Sequence, residues 1–400
     1  MRRILPSTLC IFVLFASACG GGTASDPGTG VGDLPSANDS ILPDVLTDDQ
    51  ARDEASSDSL VADAPFSDPD VLLIDDLPVV DSPALPGCPP CGKGTVSGLA
   101  CAPDGQTVVP DVGVTIDGID CHGQAFHITT TSDSFGRYTV ENVPCGYRVV
   151  QLAKGSFSHQ FDVFVAADQV TETKNGRCFE GSAARIAVIT GEWDRLEDIL
   201  TTLKLQYTSI NGVQSESGGS AEAESFLSDW NRLSKFNVLF INCGRSQYTG
   251  SAAVANLRKF VEGGGSIYGS DYAVNYMAVV WPEALILPAD PYSVYTQTVN
   301  ADIRDPRLFG YLQKMTVTIQ YGLSPLVMVD EPGIGTETHI EGIFPKYEAD
   351  QNIHPQLMSF QPYGTTGGRV IYGNFHHDEQ VKEPGKTDVR NILKYIVFSL

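Results

Sequence analysis

The chain has 400 residues, too many for one ordinary core, so two folded domains with extra segments are expected. Its formal net charge is −23 at pH 7, which excludes the basic footprint of a nucleic-acid partner. More than half of that charge lies in one segment: Gly20 to Gly87 holds 14 Asp, one Glu (Glu54) and one Arg (Arg52), a net of −14.

The first 18 residues have the layout of an export signal. Arg2 and Arg3 precede a short apolar run from Leu9 to Phe15, and Ala16-Ser17-Ala18 leads into Cys19. The run is too short to span a bilayer. This ending resembles a bacterial lipobox, which implies cleavage before Cys19 and lipidation of its thiol; a plain secretory signal with a chance cysteine is the alternative. That resemblance implies a place in the bacterial cell envelope, with the protein held at the outer membrane by its acyl chain. Residues 19–87, with Asp44, Asp48, Asp49, Asp53, Asp58 and Asp63 spaced among Ser, Pro and Ala, cannot bury enough apolar surface to offset their ordering entropy. We expect an extended acidic tether; no EF-hand loop supports calcium binding.

Six cysteines, Cys88, Cys91, Cys101, Cys121, Cys145 and Cys178, cluster within about ninety residues of an exported chain and are expected to form disulfides. Fifteen pairings are open to six cysteines, and Cys101 with Cys121 is favoured among them. A zinc site at Cys88-Pro89-Pro90-Cys91 would need a second pair at similar spacing, which the sequence lacks.

Residues 88–181 form the first folded domain. Val112, Val114 and Ile116 alternate with polar or small residues, and Phe126–Thr131, Arg137–Val140, Tyr147–Leu152 and Phe161–Val165 are β-rich. Asp104-Gly105, Asp117-Gly118, Asp133-Ser134-Phe135-Gly136 and Pro144-Cys145-Gly146 punctuate them, the spacing of an antiparallel sandwich. The order of Gly94-Thr95-Val96-Ser97-Gly98, Val109-Pro110-Asp111-Val112, Asp133-Ser134-Phe135-Gly136-Arg137-Tyr138 and Val143-Pro144-Cys145-Gly146-Tyr147 resembles the carboxypeptidase regulatory-like domain. That resemblance implies an all-β, seven-stranded, transthyretin-like sandwich, a non-catalytic spacer or binding module. His122 and His127 are expected at its surface.

Residues 182–400 change pattern. Ile186–Ile189, Val238–Ile241 and Ile267–Tyr268 are buried-strand runs, separated by helical stripes at Leu196/Ile199/Leu200, Phe226/Trp230 and Val254/Leu257/Phe260/Val261, with a last stripe at Val389/Ile392/Leu393/Ile396. This predicts a parallel three-layer α/β sheet, with ligands beyond the carboxyl ends of its strands. Those ends carry Gly191, Glu192 and Asp194; Asn242, Cys243 and Gly244; and Ser270 and Asp271.

The Phe240-Ile241-Asn242-Cys243-Gly244 strand end, the run from Gly263 to Asp271, and the run from Gly368 to Glu379 resemble the class I glutamine amidotransferase-like superfamily, including its trehalose-utilisation-type branch. The resemblance implies a flavodoxin-like fold, leaves the stretch from about Trp281 to Pro362 unmatched, and puts Asp271 where active members carry the nucleophilic Cys and Ala273 at the second Gly of the elbow. A carboxylate cannot replace that thiolate in amide transfer. Cys243, on an earlier strand, is expected to be a buried inert thiol.

The candidate pocket comprises Asp194, Asn242, Cys243, Ser270, Asp271, His376, His377 and Asp378. Two readings of it stand. Asp271 caps the following helix while the histidines make local bonds; or Asp271 meets His376 or His377, joined by Asp194 or Asp378, as an acid–base pair or an open metal site. His339 and His354, in the unmatched stretch, are expected at the surface. The expectation is a non-catalytic binding or scaffolding protein without a cofactor or bound metal, its partner an envelope polysaccharide or protein. A hydrolase or metal-dependent enzyme is the first alternative, and a purely structural envelope protein the second.

Overall fold

The structure, a computed structural model, describes residue 89 and residues 91–173, 178–213, 221–244, 250–293, 296–322, 325–344 and 352–400. The signal, Cys19, the acidic tether and Cys88 lie outside the described residues. Among the described residues no helix is long and apolar enough to cross a membrane.

Seven strands come first: β1 (Lys93–Leu99), β2 (Gly113–Ile119), β3 (Ala125–Thr131), β4 (Arg137–Pro144), β5 (Gly146–Lys154), β6 (Phe157–Val165) and β7 (Val170–Glu172). They make a three-stranded sheet, β4–β1–β7, and a four-stranded sheet, β3–β2–β5–β6. Strand alternation decides what is inside: Val114 and Ile116 of β2, Val150 and Leu152 of β5 and Val96 of β1 are fully buried in one core. At the β3–β4 turn, Asp133 Oδ1 accepts the N–H groups of Phe135 and Arg137. Gly136 there has φ +73, and a Cβ on it would sit 2.6 Å from the Ala100 carbonyl oxygen, so only glycine fits.

The cysteine pairing differs from the favoured one. Cys91 bonds Cys121 and Cys101 bonds Cys178, while Cys145 is also disulfide-bonded. The reason lies in the fold. Cys101 follows β1, and the backbone N–H of Phe179, next to Cys178, donates to the Cys101 carbonyl, which brings these two cysteines to a Cα separation of 4.5 Å.

The α/β region continues with β8 (Ile186–Ile189), α1 (Glu197–Thr202), β9 (Tyr207–Ile210), α2 (Ala221–Ser228), α3 (Trp230–Leu233), β10 (Val238–Ile241), α4 (Ser251–Glu262), β11 (Ser266–Ser270) and α5 (Val274–Val280). A run of short strands and one helix follows: β12 (Leu285–Ile286), β13 (Tyr292–Ser293), β14 (Gln297–Ile303), α6 (Pro306–Leu312), β15 (Thr316–Tyr321), β16 (Leu326–Val327), β17 (Glu331–Pro332), β18 (Thr336–Ile343) and β19 (Ile353–Phe360). β20 (Val370–Gly373) and α7 (Gly385–Val397) close the chain.

These strands form a nine-stranded sheet, β15–β14–β18–β19–β20–β11–β10–β8–β9. The half from β20 to β9 is parallel, as the buried runs imply. The other half is antiparallel, which corrects the expectation of a wholly parallel sheet. The unmatched stretch supplies that half: it lacks helical periodicity over most of its length and pairs onto β20 through β19. Successive residues of β8 face opposite cores. Ile186 and Val188 join one with α1 and α7, and Ala187 and Ile189 join the other with α2, α4 and α5. That is the three-layer arrangement in residue terms.

The first core runs on without a break into the seven-stranded part. Phe398, just after α7, lies with its ring centroid 4.8 Å from that of Phe157 and 5.7 Å from that of Phe179. Ser156 N–H donates to the Leu400 carbonyl across the same seam.

Candidate functional site

β11 is buried at every position and ends in a sharp turn. Asp271 carries φ +43, the left-handed region that non-glycine residues seldom adopt, and a short 3₁₀ turn (Asp271–Ala273) leads into α5. The turn is tight. A Cβ on Gly269 would lie 2.6 Å from Met277 Cε and 2.8 Å from Ala273 Cβ, so residues 269 and 273 must both be small.

Asp271 does not cap the helix that follows; no side chain caps this turn. Its carboxylate points into the protein instead. Oδ1 accepts the Val327 N–H at 2.6 Å, and Oδ2 takes the Cys243 thiol at 3.3 Å and faces His376 Nε2 at 3.2 Å. That last pair is close enough for an ion pair, but Nε2 has no aligned hydrogen bond, so the N–H direction misses the carboxylate. His376 Nδ1 is 2.8 Å from Glu379 Oε1, and the other Glu379 oxygen accepts the Gly322 N–H.

The structure therefore brings together Asp271, Cys243 and His376, with Glu379 behind the histidine. Glu379 takes the place expected for Asp194 or Asp378, because the turn after β20 puts it three residues from His376. Asp194 is buried and accepts the N–H groups of His377 and Arg195. His377 itself turns away and pairs with the exposed Asp378 at 3.3 Å. Ser270 Oγ accepts the Cys243 N–H, and Asn242 donates to Glu197. The sequence signal for Glu379 is an acidic residue three positions after a histidine at a strand end.

Burial dominates the electrostatics. It pushes the Cys243 thiol up to about 12, and Asp271 adds to that shift. Burial alone would lower the His376 imidazole, but Asp271, Cys243 and Glu379 outweigh it and hold it well above the usual histidine range. Burial likewise raises the Asp194 carboxyl. The Asp271 and His376 side chains are each 1% exposed. Six of the eight pocket residues, Asp194, Asn242, Cys243, Ser270, Asp271 and His376, are buried. The cover comes from the unmatched stretch: β16 lies over the turn and supplies Val327.

Two more histidines are buried. His339 and His354 are 8% and 4% exposed, against the expected surface position. His339 sits at a register shift of β18, where its imidazole bridges Asp305 Oδ2 at 2.9 Å and Ser359 Oγ at 2.7 Å. Asp305 also caps α6 by accepting the Arg307 N–H. His122 and His127 are exposed.

No protein-family model and no curated protein matches the chain. Solved structures of similar fold include a ThuA-like protein from Bacteroides uniformis (10% identity, TM-score 0.38), covering 54% of this chain and 91% of that one. A glutamine amidotransferase from Thermotoga maritima (9% identity, TM-score 0.34) covers 54% and 95%. The glutaminase domain of Trypanosoma brucei CTPS (12% identity, TM-score 0.35) covers 54% and 93%. The likeness is one of fold, and no residue role is carried over from it.

Proposed function

We propose that this chain is a lipid-anchored protein of the bacterial envelope whose α/β region binds or scaffolds and does not catalyse. One observation carries the second half: the turn where the resembling enzymes place their nucleophile bears a carboxylate, sealed under Val327 and 1% exposed. A nucleophile or general base needs a reacting atom within hydrogen-bond reach, and a sealed carboxylate offers none. The lipobox at Cys19 and the disulfides support the envelope half of the reading.

The ligand class is an acidic envelope polysaccharide. Its support is a cleft of 490 Å³ lined by three cationic side chains, Lys154, Arg307 and Arg369, and one acidic one, Asp111, 4.0 Å from Lys154 Nζ, at the opposite ends of β10, β11 and β20 from Asp271. Burial lowers the Lys154 ammonium to about 8, and Arg307 and Arg369 present planar guanidinium groups that can fork onto a carboxylate. In a chain of net charge −23, a cleft with three cationic side chains against one carboxylate is the departure from the overall balance that an anion would use.

Retention on immobilised acidic envelope polysaccharide tests this, with the double variant Arg307→Ala/Arg369→Ala as control. Salt-sensitive retention that the variant loses is expected. Equal retention by both forms, or none by either, rejects the ligand. Turnover of ester, amide or glycoside substrates that disappears in Asp271→Asn would overturn the non-catalytic reading, and labelled fatty acid absent from Cys19 would overturn the anchor.

A further inference from the structure

Asp271, Cys243 and His376 come from three separate strand ends and offer three ligand atoms within 4.8 Å of one another, all buried. We infer that these three side chains form a binding site for a divalent zinc ion, held inside the closed turn. The inference goes beyond the binding function proposed above and needs only the closed turn to be correct.

The distances fit a metal. Zinc sits about 2.3 Å from thiolate sulfur and about 2.0–2.2 Å from imidazole nitrogen or carboxylate oxygen. At tetrahedral angles those lengths put sulfur and oxygen about 3.5 Å apart and nitrogen and oxygen about 3.3 Å apart. The observed separations are 3.3 Å for Cys243 Sγ to Asp271 Oδ2 and 3.2 Å for His376 Nε2 to Asp271 Oδ2. Hydrogen bonds span similar distances, so alignment decides. His376 Nε2 is fully buried without an aligned hydrogen-bond partner. A hydrogen bond needs the proton on the line to the acceptor, whereas a metal takes up the lone pair from a point between the ligand atoms. An orphaned ring nitrogen costs free energy that a metal would remove.

The surroundings fit as well. Glu379 at Nδ1 leaves Nε2 as the nitrogen free to ligate and fixes the ring plane, the carboxylate–histidine arrangement that orients metal-bound imidazoles. Val327 N–H occupies Asp271 Oδ1 and leaves Oδ2 for the ion. Ser270 Oγ accepts the Cys243 N–H and holds that strand end in place. Thiolate, imidazole and carboxylate together suit zinc better than calcium or magnesium, which take oxygen ligands. Binding is balanced by proton release: the Cys243 S–H and His376 Nε2–H bonds break, the Zn–S and Zn–N bonds form, and two protons leave to solvent. Three protein ligands leave a fourth position, and because the site is closed the ion would be acquired as the chain folds.

The test uses the full chain purified without chelator or metal-affinity tag. Elemental analysis is expected to find about one zinc per chain. Replacement by cobalt should give a thiolate-to-metal charge-transfer band that is missing from Cys243→Ser and weakened in His376→Gln. If a variant fails to fold, the wild type still decides. The Cys243 thiol, once the protein is opened by mild denaturant, should react with a thiol reagent faster after chelation than before. Zinc no higher than the buffer blank, with no cobalt band in a natively folded wild type, overturns the site. Metal content and substrate turnover are independent readouts, so failure here is distinguishable from failure of the non-catalytic reading.

Discussion

Two of the buried histidines of the α/β region, His339 and His376, make a close comparison. His339 and His376 each present Nδ1 to a carboxylate, Asp305 at 2.9 Å and Glu379 at 2.8 Å. They differ at Nε2. His339 meets Ser359 Oγ at 2.7 Å and is satisfied, whereas His376 faces an acid and a thiol without an aligned bond. The order Ser359–His339–Asp305 imitates a hydrolytic triad, yet Ser359 is 2% exposed and Asp305 is committed to capping α6. A complete set of bonds in a closed site is a structural brace; the incomplete set at His376 is where the proposed ion would bind.

The comparison breaks most readily at Asp271. Asp271→Ala strands the buried Val327 N–H and the His376 ring, and puts alanine at φ +43. We expect a loss of about 3–5 kcal/mol in denaturant unfolding. Asp271→Asn should recover part of it, since asparagine tolerates the left-handed region and keeps an acceptor for Val327. A loss below about 1 kcal/mol for the alanine variant would show that the turn is not held by this carboxylate.

Ser359→Ala removes one hydrogen bond from the satisfied histidine and should cost about 1–3 kcal/mol without changing metal content. Glu379→Gln should weaken zinc binding by about 10–100-fold, because it removes the charge behind a ligating imidazole. Equal metal content in both variants would erase the distinction between the two histidines.

The smallest effect is one of pH. Burial pushes the Asp305 carboxyl up, but His339 and Arg307 pull it down more strongly, so the folded value lies below the usual carboxylate range. A group whose folded pKa is depressed adds stability above its unfolded pKa, about 3.9 for Asp, and loses it as the pH falls through the folded value. The denaturant midpoint should therefore decline below about pH 4, and Asp305→Asn should flatten that decline.

The comparison also shows where sequence reasoning stopped. Alternation in β2 and the buried runs of β8, β10 and β11 were legible because burial of a strand face leaves a periodic trace. Asp271 stood out because it follows a buried strand and a glycine-rich turn. His339 was assigned to the surface because a lone histidine in an irregular stretch has no period, and its partners Asp305 and Ser359 lie 34 and 20 residues away. Cys101 was given the wrong partner because pairing depends on where β1 ends and Phe179 returns, and both are tertiary facts.

By itself the sequence determined the acidic composition of residues 20–87, the strand and helix periods of both folded parts, and the absence of a thiol at the turn after β11. Those depend on local composition and on the facing of side chains within one element. Tertiary structure alone decided that the antiparallel half of the sheet carries β16 over the turn, that His376 rather than His377 reaches Asp271, and that Glu379 stands behind it. Each needs atoms from distant elements to meet within about 3 Å, and no local period encodes that approach.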